Sequence, residues 1–352
     1  LSHPAMGVEE ELLLVSASGD PLPRSKAVAA GAEGVDVELE LTRAQVEINA
    51  PVCDTAEELH RQLTFARAKL AQAAADEGAR LLAIGVPPGG VAEQLVTKKP
   101  RYEEMAARYG LLVREQGVCG CHVHIDVPDK EAAIRVSNHL RPWLPTLLAL
   151  TANSAVYLGQ DTGFASWRSI MWARWPCSGP PPYFESAEHY DALVAMQIGT
   201  GTIMDERMVY WDVRPSDHLP TVEVRVSDVP LTVDETVLLA TLIRALVMVA
   251  LDDGGLGPKL EPEVLRAAYW LAARDGITGN GLEVLKARTM PMAELLGLLQ
   301  RHVADVLQQM GDADRVAETI QRVLREGNGA VKQRQALAAG SDVVTLTAQR
   351  PG

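Results

Sequence analysis

Cysteine is scarce: four residues in 352, Cys53, Cys119, Cys121 and Cys177. A chain this long with so few cysteines is not a disulfide scaffold and fits a reducing compartment, so a cytoplasmic location is expected. Cys119 and Cys121 have no second pair at zinc spacing and read as small strand residues. Long uncharged apolar runs are missing as well. None reaches about 18 residues, which excludes a membrane-spanning helix. The amino-terminal residues show no basic region followed by an apolar stretch, so no signal peptide is visible. Basic residues are outnumbered, 33 against 46, for a net charge of −13. That balance argues against a nucleic-acid partner. It leaves open an anionic nucleotide, which a metal ion can screen. No Walker-type loop, no Gly-x-Gly-x-x-Gly after a strand and no Gly-x-Ser-x-Gly elbow occurs. Gly199-Thr200-Gly201-Thr202 is only a short glycine-rich turn. Phosphates, if bound, must be held by metal and arginine.

What is present begins with Gly7-Val8-Glu9-Glu10-Glu11-Leu12-Leu13-Leu14-Val15. The apolar run predicts a buried strand over 7–16, with the carboxylates at its entry. Strand side chains alternate, so Glu9 and Glu11 share one face and Glu10 takes the other. Residues two apart lie roughly 6.5–7 Å from each other. Two carboxylates at that range repel by about 2.5 kcal/mol at an effective dielectric near 20. In an interior they require a cation between them or a proton on one; otherwise they form a solvated strand end. Further alternating segments are expected at 35–41, with Glu38 and Glu40 on one face, at 45–49 with Glu47, at 120–128 with His122 and His124, at 209–214, and at 221–226 with Glu223 and Arg225. A short buried strand is expected at 81–86.

Thr55 opens a capping box with Glu58, predicting a helix to about Glu77 with a stripe of Leu59, Leu63, Ala66 and Leu70. Other helices are expected at 98–110, over 130–158 with a break or junction at Pro142 and Pro145, at 190–198, and then at 234–252, 262–274, 293–310, 313–326 and 330–339. Residues 342–352 read as loose. The segment 159–183, rich in Gly, Pro, Trp and Arg, reads as an irregular functional loop. The pattern is α+β with an antiparallel sheet, taken as a single domain over 1–352 with a helical last third from about 234. Apolar C-terminal helices suggest a homodimer.

Carboxylates, imidazoles and an arginine on five strand segments suit a sheet face that holds Mg²⁺ and phosphate. The alternatives are a zinc site at His122 and His124, satisfied interior histidines, and a structural Glu223–Arg225 pair.

Six motifs in order carry a resemblance: Gly7-Val8-Glu9-Glu10-Glu11, Gln45-Val46-Glu47, Pro100-Arg101-Tyr102, Cys119-Gly120-Cys121-His122-Val123-His124, Arg214-Pro215-Ser216, and Pro220-Thr221-Val222-Glu223-Val224-Arg225-Val226-Ser227-Asp228. Together they resemble the glutamate–cysteine ligase type 2 family of carboxylate–amine ligases. The resemblance implies a glutamine-synthetase/guanido-kinase-like fold, a curved antiparallel sheet with helices on its outer face. It implies ATP-dependent joining of a glutamate-like carboxylate to cysteine or another amine through an acyl phosphate, with ATP and Mg²⁺ (or Mn²⁺) required. By position, Glu9, Glu11, Glu40, Glu47, His122 and Glu223 are the implied metal ligands. His124, Arg214 and Arg225 are implied on the nucleotide phosphates. Arg225, Glu47 and Arg168 (the last as the substrate-side arginine) form the implied catalytic set. The segment 159–183, with Trp167, Trp172 and Trp175, is the expected cover that excludes water. A guanidino-kinase-like phosphotransferase and a non-catalytic ATP–Mg²⁺ binder are the alternatives.

Overall fold

Leu12 to Val15 continue a strand, Met6–Val15 (β1), that becomes the hub of a seven-stranded sheet. The computed structural model describes residues 3–90 and 96–351; Leu1 and Ser2, on which the signal-peptide expectation partly rests, lie outside the described residues. In chain order the other strands are Val37–Leu39 (β2), Gln45–Asn49 (β3), Arg80–Leu82 (β4), Gly120–Asp126 (β5), Val213–Pro215 (β6) and Thr221–Asp228 (β7). On one edge β1 pairs with β3, which pairs with β2. On the other edge the first half of β1 pairs with β5 and its last residues with β4. Beyond β5 come β7 and then β6. Every pairing is antiparallel.

One face of this sheet is apolar and covered. Val8, Val123, Ile125, Val222 and Val224 are buried in a core shared with helices Ala56–Asp76, Lys130–Leu140, Leu144–Thr151 and Val233–Asp253. Thr55 caps the first of these by accepting from the Glu58 amide at 3.1 Å, and the predicted Leu59, Leu63, Ala66 and Leu70 stripe is buried. Each fully buried leucine contributes about 1.5–3 kcal/mol. Asp129 and Thr232 cap two further helices in the same way. Glu10 points into this covered side, as alternation requires. There it meets Arg67, with Nη2 2.6 Å and Nε 2.8 Å from its two oxygens.

Several elements differ from the sequence expectation. Residues 130–158 form two helices that stop at Thr151, because Pro145 cannot continue the first helix but suits the start of the second. The segment 159–183 is not wholly irregular: Ser166 caps a short helix, Trp167–Trp172. Ser25–Gly31 is a helix too short to show a period. Within the helical last third, Asn280–Glu283 and Arg288–Pro291 form a hairpin, and 293–310 divides into Met292–His302 and Ala304–Met310. The described residues 342–351 are not loose. Asp342 caps a helix, Val343–Thr347, whose last carbonyl accepts from Ala83, and the Gln349 amide donates to Leu81. Among the described residues no helix is long and apolar enough to cross a membrane.

Candidate active site

In an antiparallel ladder, residues directly opposite one another share a face. Applied to the register, that rule builds the site in three rows. Glu38 lies opposite Glu47, which lies opposite Glu11. Asn49 lies opposite Glu9, which lies opposite His122. Gly7 lies opposite His124, which lies opposite Glu223 and then Arg214. A shift in pairing between Cys121 and Val123 brings Arg225 alongside, with Nη1 3.3 Å from His122 Nδ1 and hydrogen-bonded to Glu223. The rows floor a cavity of about 530 Å³. Glu40, Arg101, Tyr102, Trp172, Trp175 and Tyr210 complete its wall.

The structure therefore brings together nine of the ten residues singled out from the sequence: Glu9, Glu11, Glu40, Glu47, His122, His124, Arg214, Glu223 and Arg225 all line this cup. Arg168 does not line it. Its guanidinium packs over Gly120, where a Cβ would collide with it, and lies 4.0 Å from Asp228. It lines a second cavity instead. Of the three tryptophans, Trp172 and Trp175 reach the cup, whereas Trp167 packs on Tyr157 and Phe164. The sequence reading gave no role to Arg101, Tyr102, Gln45, Asn49 or Tyr210, all of which line the cup. The motifs Pro100-Arg101-Tyr102 and Gln45-Val46-Glu47 carry three of them; Arg101 is fixed at its helix start by Asp205 at 2.9 and 3.0 Å.

The electrostatics divide the carboxylates into two sets. Burial pushes Glu9, Glu40, Glu47 and Glu223 up. At Glu9 the hydrogen bonds and charges of His122 and His124 outweigh burial and hold the group below its usual range. At Glu223 the Arg214 and Arg225 guanidinium groups do the same. Glu40 has no such rescue: burial and the charge of Glu11 raise it to about 7. Glu47 is raised well above 4.5 by burial and by Glu40, Glu9 and Glu11. A face with this much unscreened negative charge suits a hard cation. Oxygen and nitrogen atoms of Glu9, Glu47 and His122 come within 4.8 Å of one another, as do those of Glu9, His124 and Glu223, and those of Glu11, Glu40 and Glu47. His122 Nε2 is buried without a hydrogen-bond partner, as a ligand atom would be before its ion arrives. The donor set, mostly carboxylate with one or two imidazoles, fits Mg²⁺ or Mn²⁺ better than zinc.

A pH dependence follows. Between about pH 4.5 and 7 the folded metal-free chain holds a proton on Glu40 that the unfolded chain releases, so this group lowers stability as pH rises through that window. Glu9 and Glu223 act oppositely: their contribution is present above the unfolded value of 4.5 and is lost as pH falls. A cation must displace the protons of Glu40 and Glu47. Adding Mg²⁺ to weakly buffered protein near pH ~6.5 should therefore release protons, and the release should diminish as the pH is raised. Release that does not depend on pH would contradict the raised values.

Residues 5–349 match glutamate–cysteine ligase family 2. A relative from Nocardia farcinica, provisionally named glutamate–cysteine ligase 2-1, is 51% identical over 355 residues, covering 99% of this chain and 93% of its own. One from Mycolicibacterium vanbaalenii, provisionally named glutamate–cysteine ligase 2-2, is 52% identical over 352 residues, with 98% and 96% covered. Among solved structures, a glutamate–cysteine ligase from Francisella tularensis in complex with AMP superimposes with a TM-score of 0.69 at 13% identity, covering 99% of this chain and 88% of that one. A bifunctional glutathione synthetase from Pasteurella multocida gives 0.72 at 15%, covering 98% of this chain and 51% of that one. The two structures share the fold: an α+β chain with an antiparallel sheet and helices packed against it. With the cup assembled from the motifs that first suggested it, and with half the residues of near full-length relatives retained, the chain belongs to the glutamate–cysteine ligase family 2.

Proposed function

We propose that this protein is an ATP-dependent carboxylate–amine ligase that forms an amide through an acyl phosphate, with glutamate or a close analogue as the acid and cysteine or another amine as the acceptor. The observation that carries the reading is the overlap of the three candidate cation groups on Glu9 and Glu47, with Arg225 held at their edge by Glu223. A phosphotransfer site needs charge screening and a phosphate-directed arginine in one place.

Glu9, Glu11, Glu40, Glu47, His122 and Glu223 would hold the divalent ions. When bound, Mg²⁺ or Mn²⁺ supplies the charge that lets a carboxylate approach the polyphosphate of ATP. His124 and Arg214 border the same space and would position the phosphates. A carboxylate oxygen of the acid attacks the γ-phosphorus in line; the bond to the bridging oxygen breaks, and ADP leaves with the electron pair. Arg225 stabilises charge on the transferring oxygens. The amine nitrogen then adds to the acyl carbon, the carbon–oxygen bond to phosphate breaks, inorganic phosphate departs and the surplus proton goes to solvent. Trp172 and Trp175 wall the site and limit hydrolysis of the acyl phosphate. Arg168, outside the cup in the wall of the second cavity with Nε free, would hold a carboxylate of a substrate from there.

The test is product analysis of purified protein with ATP, Mg²⁺ and panels of acids and amines. ADP and phosphate are expected in equal amounts, with an amide, only when an acid and an amine are both present. ADP with a phosphorylated amine and no free phosphate would instead identify a guanidino-kinase-like phosphotransferase. ATP binding without turnover on any pair would identify a non-catalytic binder.

A further inference from the structure

A second cavity, of about 900 Å³, adjoins the cup, and Trp172 borders both. The two differ in kind. The cup is ionic, whereas the second space is walled by a proline run, Pro180 to Pro182, and by Tyr183, Leu265 and Trp270. Three charged side chains are buried in these walls: Arg141, Arg168 and Asp212. Arg141 is 3% exposed; its Nε donates to the Pro181 carbonyl at 3.0 Å, but Nη1 is buried without a partner. Asp212 is 5% exposed, and burial lifts its carboxyl to about 6 despite the neighbouring Tyr269 hydroxyl and the Arg168 guanidinium. Tyr269 lines the same cavity. A buried donor left unpaired is costly, and a ligand carboxylate would relieve Arg141 Nη1, while the ammonium group of the same ligand would meet Asp212 across the cavity.

An anion site, a cation site and an aromatic, proline-rich wall in one cavity form a receptor for an α-amino acid with a large side chain. Cavities of about 300–1,000 Å³ hold drug-sized ligands. Cysteine would occupy a small part of this one. The location suits an acceptor: the Asp212 carbonyl accepts from the Arg225 amide at 2.7 Å, so the carboxylate sits beside the strand that carries the phosphate-directed arginine.

We propose that the second cavity seats the amine substrate and that this substrate is an α-amino acid with an aromatic or other large apolar side chain. Arg141 takes its carboxylate, Asp212 its ammonium group, and Tyr183 with Trp270 its side chain. The acceptor role rests on the ligase reading above.

Calorimetric titration of the full chain with L-phenylalanine and, separately, with L-cysteine tests the cavity. L-phenylalanine should bind at least ~10-fold more tightly, and Arg141→Met should weaken it by ~10-fold or more, as expected for loss of a charge-assisted contact. Because Arg141 is buried, Trp270→Ala is the companion variant: its side chain is half exposed, so the fold should tolerate the change, and it too should weaken phenylalanine binding. Equal or tighter binding of cysteine, or phenylalanine binding that neither substitution moves, overturns the proposal. Hydroxylamine, small enough to need no cavity, separates this failure from that of the ligase reading, because it attacks the acyl carbon, releases phosphate and leaves a hydroxamate. Glutamate hydroxamate without phenylalanine binding sinks the cavity assignment and leaves the ligase standing. Phenylalanine binding without hydroxamate from any acid removes the ligase reading and the acceptor role with it. Both signals, with phosphate release from ATP and glutamate faster with L-phenylalanine than with L-cysteine, support the assignment.

Discussion

Arg225→Lys is expected to lower kcat by about 10²–10³-fold, the range for removing one preorganised donor from a developing anion. Arg225 is 9% exposed, its Nη1 is hydrogen-bonded to Glu223, and it lies 3.3 Å from His122. Those contacts fix the plane of the guanidinium and the direction of its remaining N–H groups. Lysine keeps the positive charge but offers a point in place of a planar fork, and it reaches less far. Glu223 stays paired through Arg214 Nε at 2.8 Å, so the fold should survive and the loss should be kinetic. Phosphate release under saturating ATP, acid and amine, with a thermal melt as control, provides the measurement. A variant within tenfold of the parent, with an unchanged melt, would remove Arg225 from the chemistry.

Arg67→Met should cost about 3–5 kcal/mol of folding free energy, because it strands a buried carboxylate. Glu10 has no exposed surface, and its oxygens receive Arg67 Nη2 at 2.6 Å, Arg67 Nε at 2.8 Å and the Thr236 hydroxyl at 2.6 Å. Arg67 also donates to the carbonyls of Pro230 and Leu231 and to Gln349. One guanidinium thus joins β1, helix Ala56–Asp76, the turn before helix Val233–Asp253 and the C-terminal segment. Replacing both partners with apolar residues, Arg67→Met with Glu10→Leu, should recover most of the loss, since neither charge is then left unpaired. Urea unfolding of the parent, the single variant and the pair gives the three values. A single-variant loss below about 1 kcal/mol would show that water reaches Glu10. Because Glu10 sits between Glu9 and Glu11, loosening this pair should also weaken Mg²⁺ binding on the opposite face.

Local chemistry was enough to place Glu9 and Glu11 on one face and Glu10 on the other, because strand geometry repeats every two residues whatever the partner. It was enough for the Thr55 cap and the Leu59, Leu63 and Leu70 stripe, which depend on neighbours three and four positions away. It supplied the ionic side chains of each strand and, through motifs, their family. Tertiary structure alone decided which strands lie side by side. Glu11 meets Glu47, Glu9 meets His122 and His124 meets Glu223 because burial of the opposite, apolar face selects the register, and no local period encodes a partner many residues distant. The short helix at Ser25, the hairpin at Asn280–Glu283 and Arg288–Pro291, and the docked C-terminus escaped for the same reason: their stability comes from contacts with distant segments. Arg168 lies on a helix of only six residues and Asp212, within the strand expected over 209–214, falls just before β6, so only the packing of the segment 159–183 and helix Pro262–Asp275 around them determined which cavity each would face.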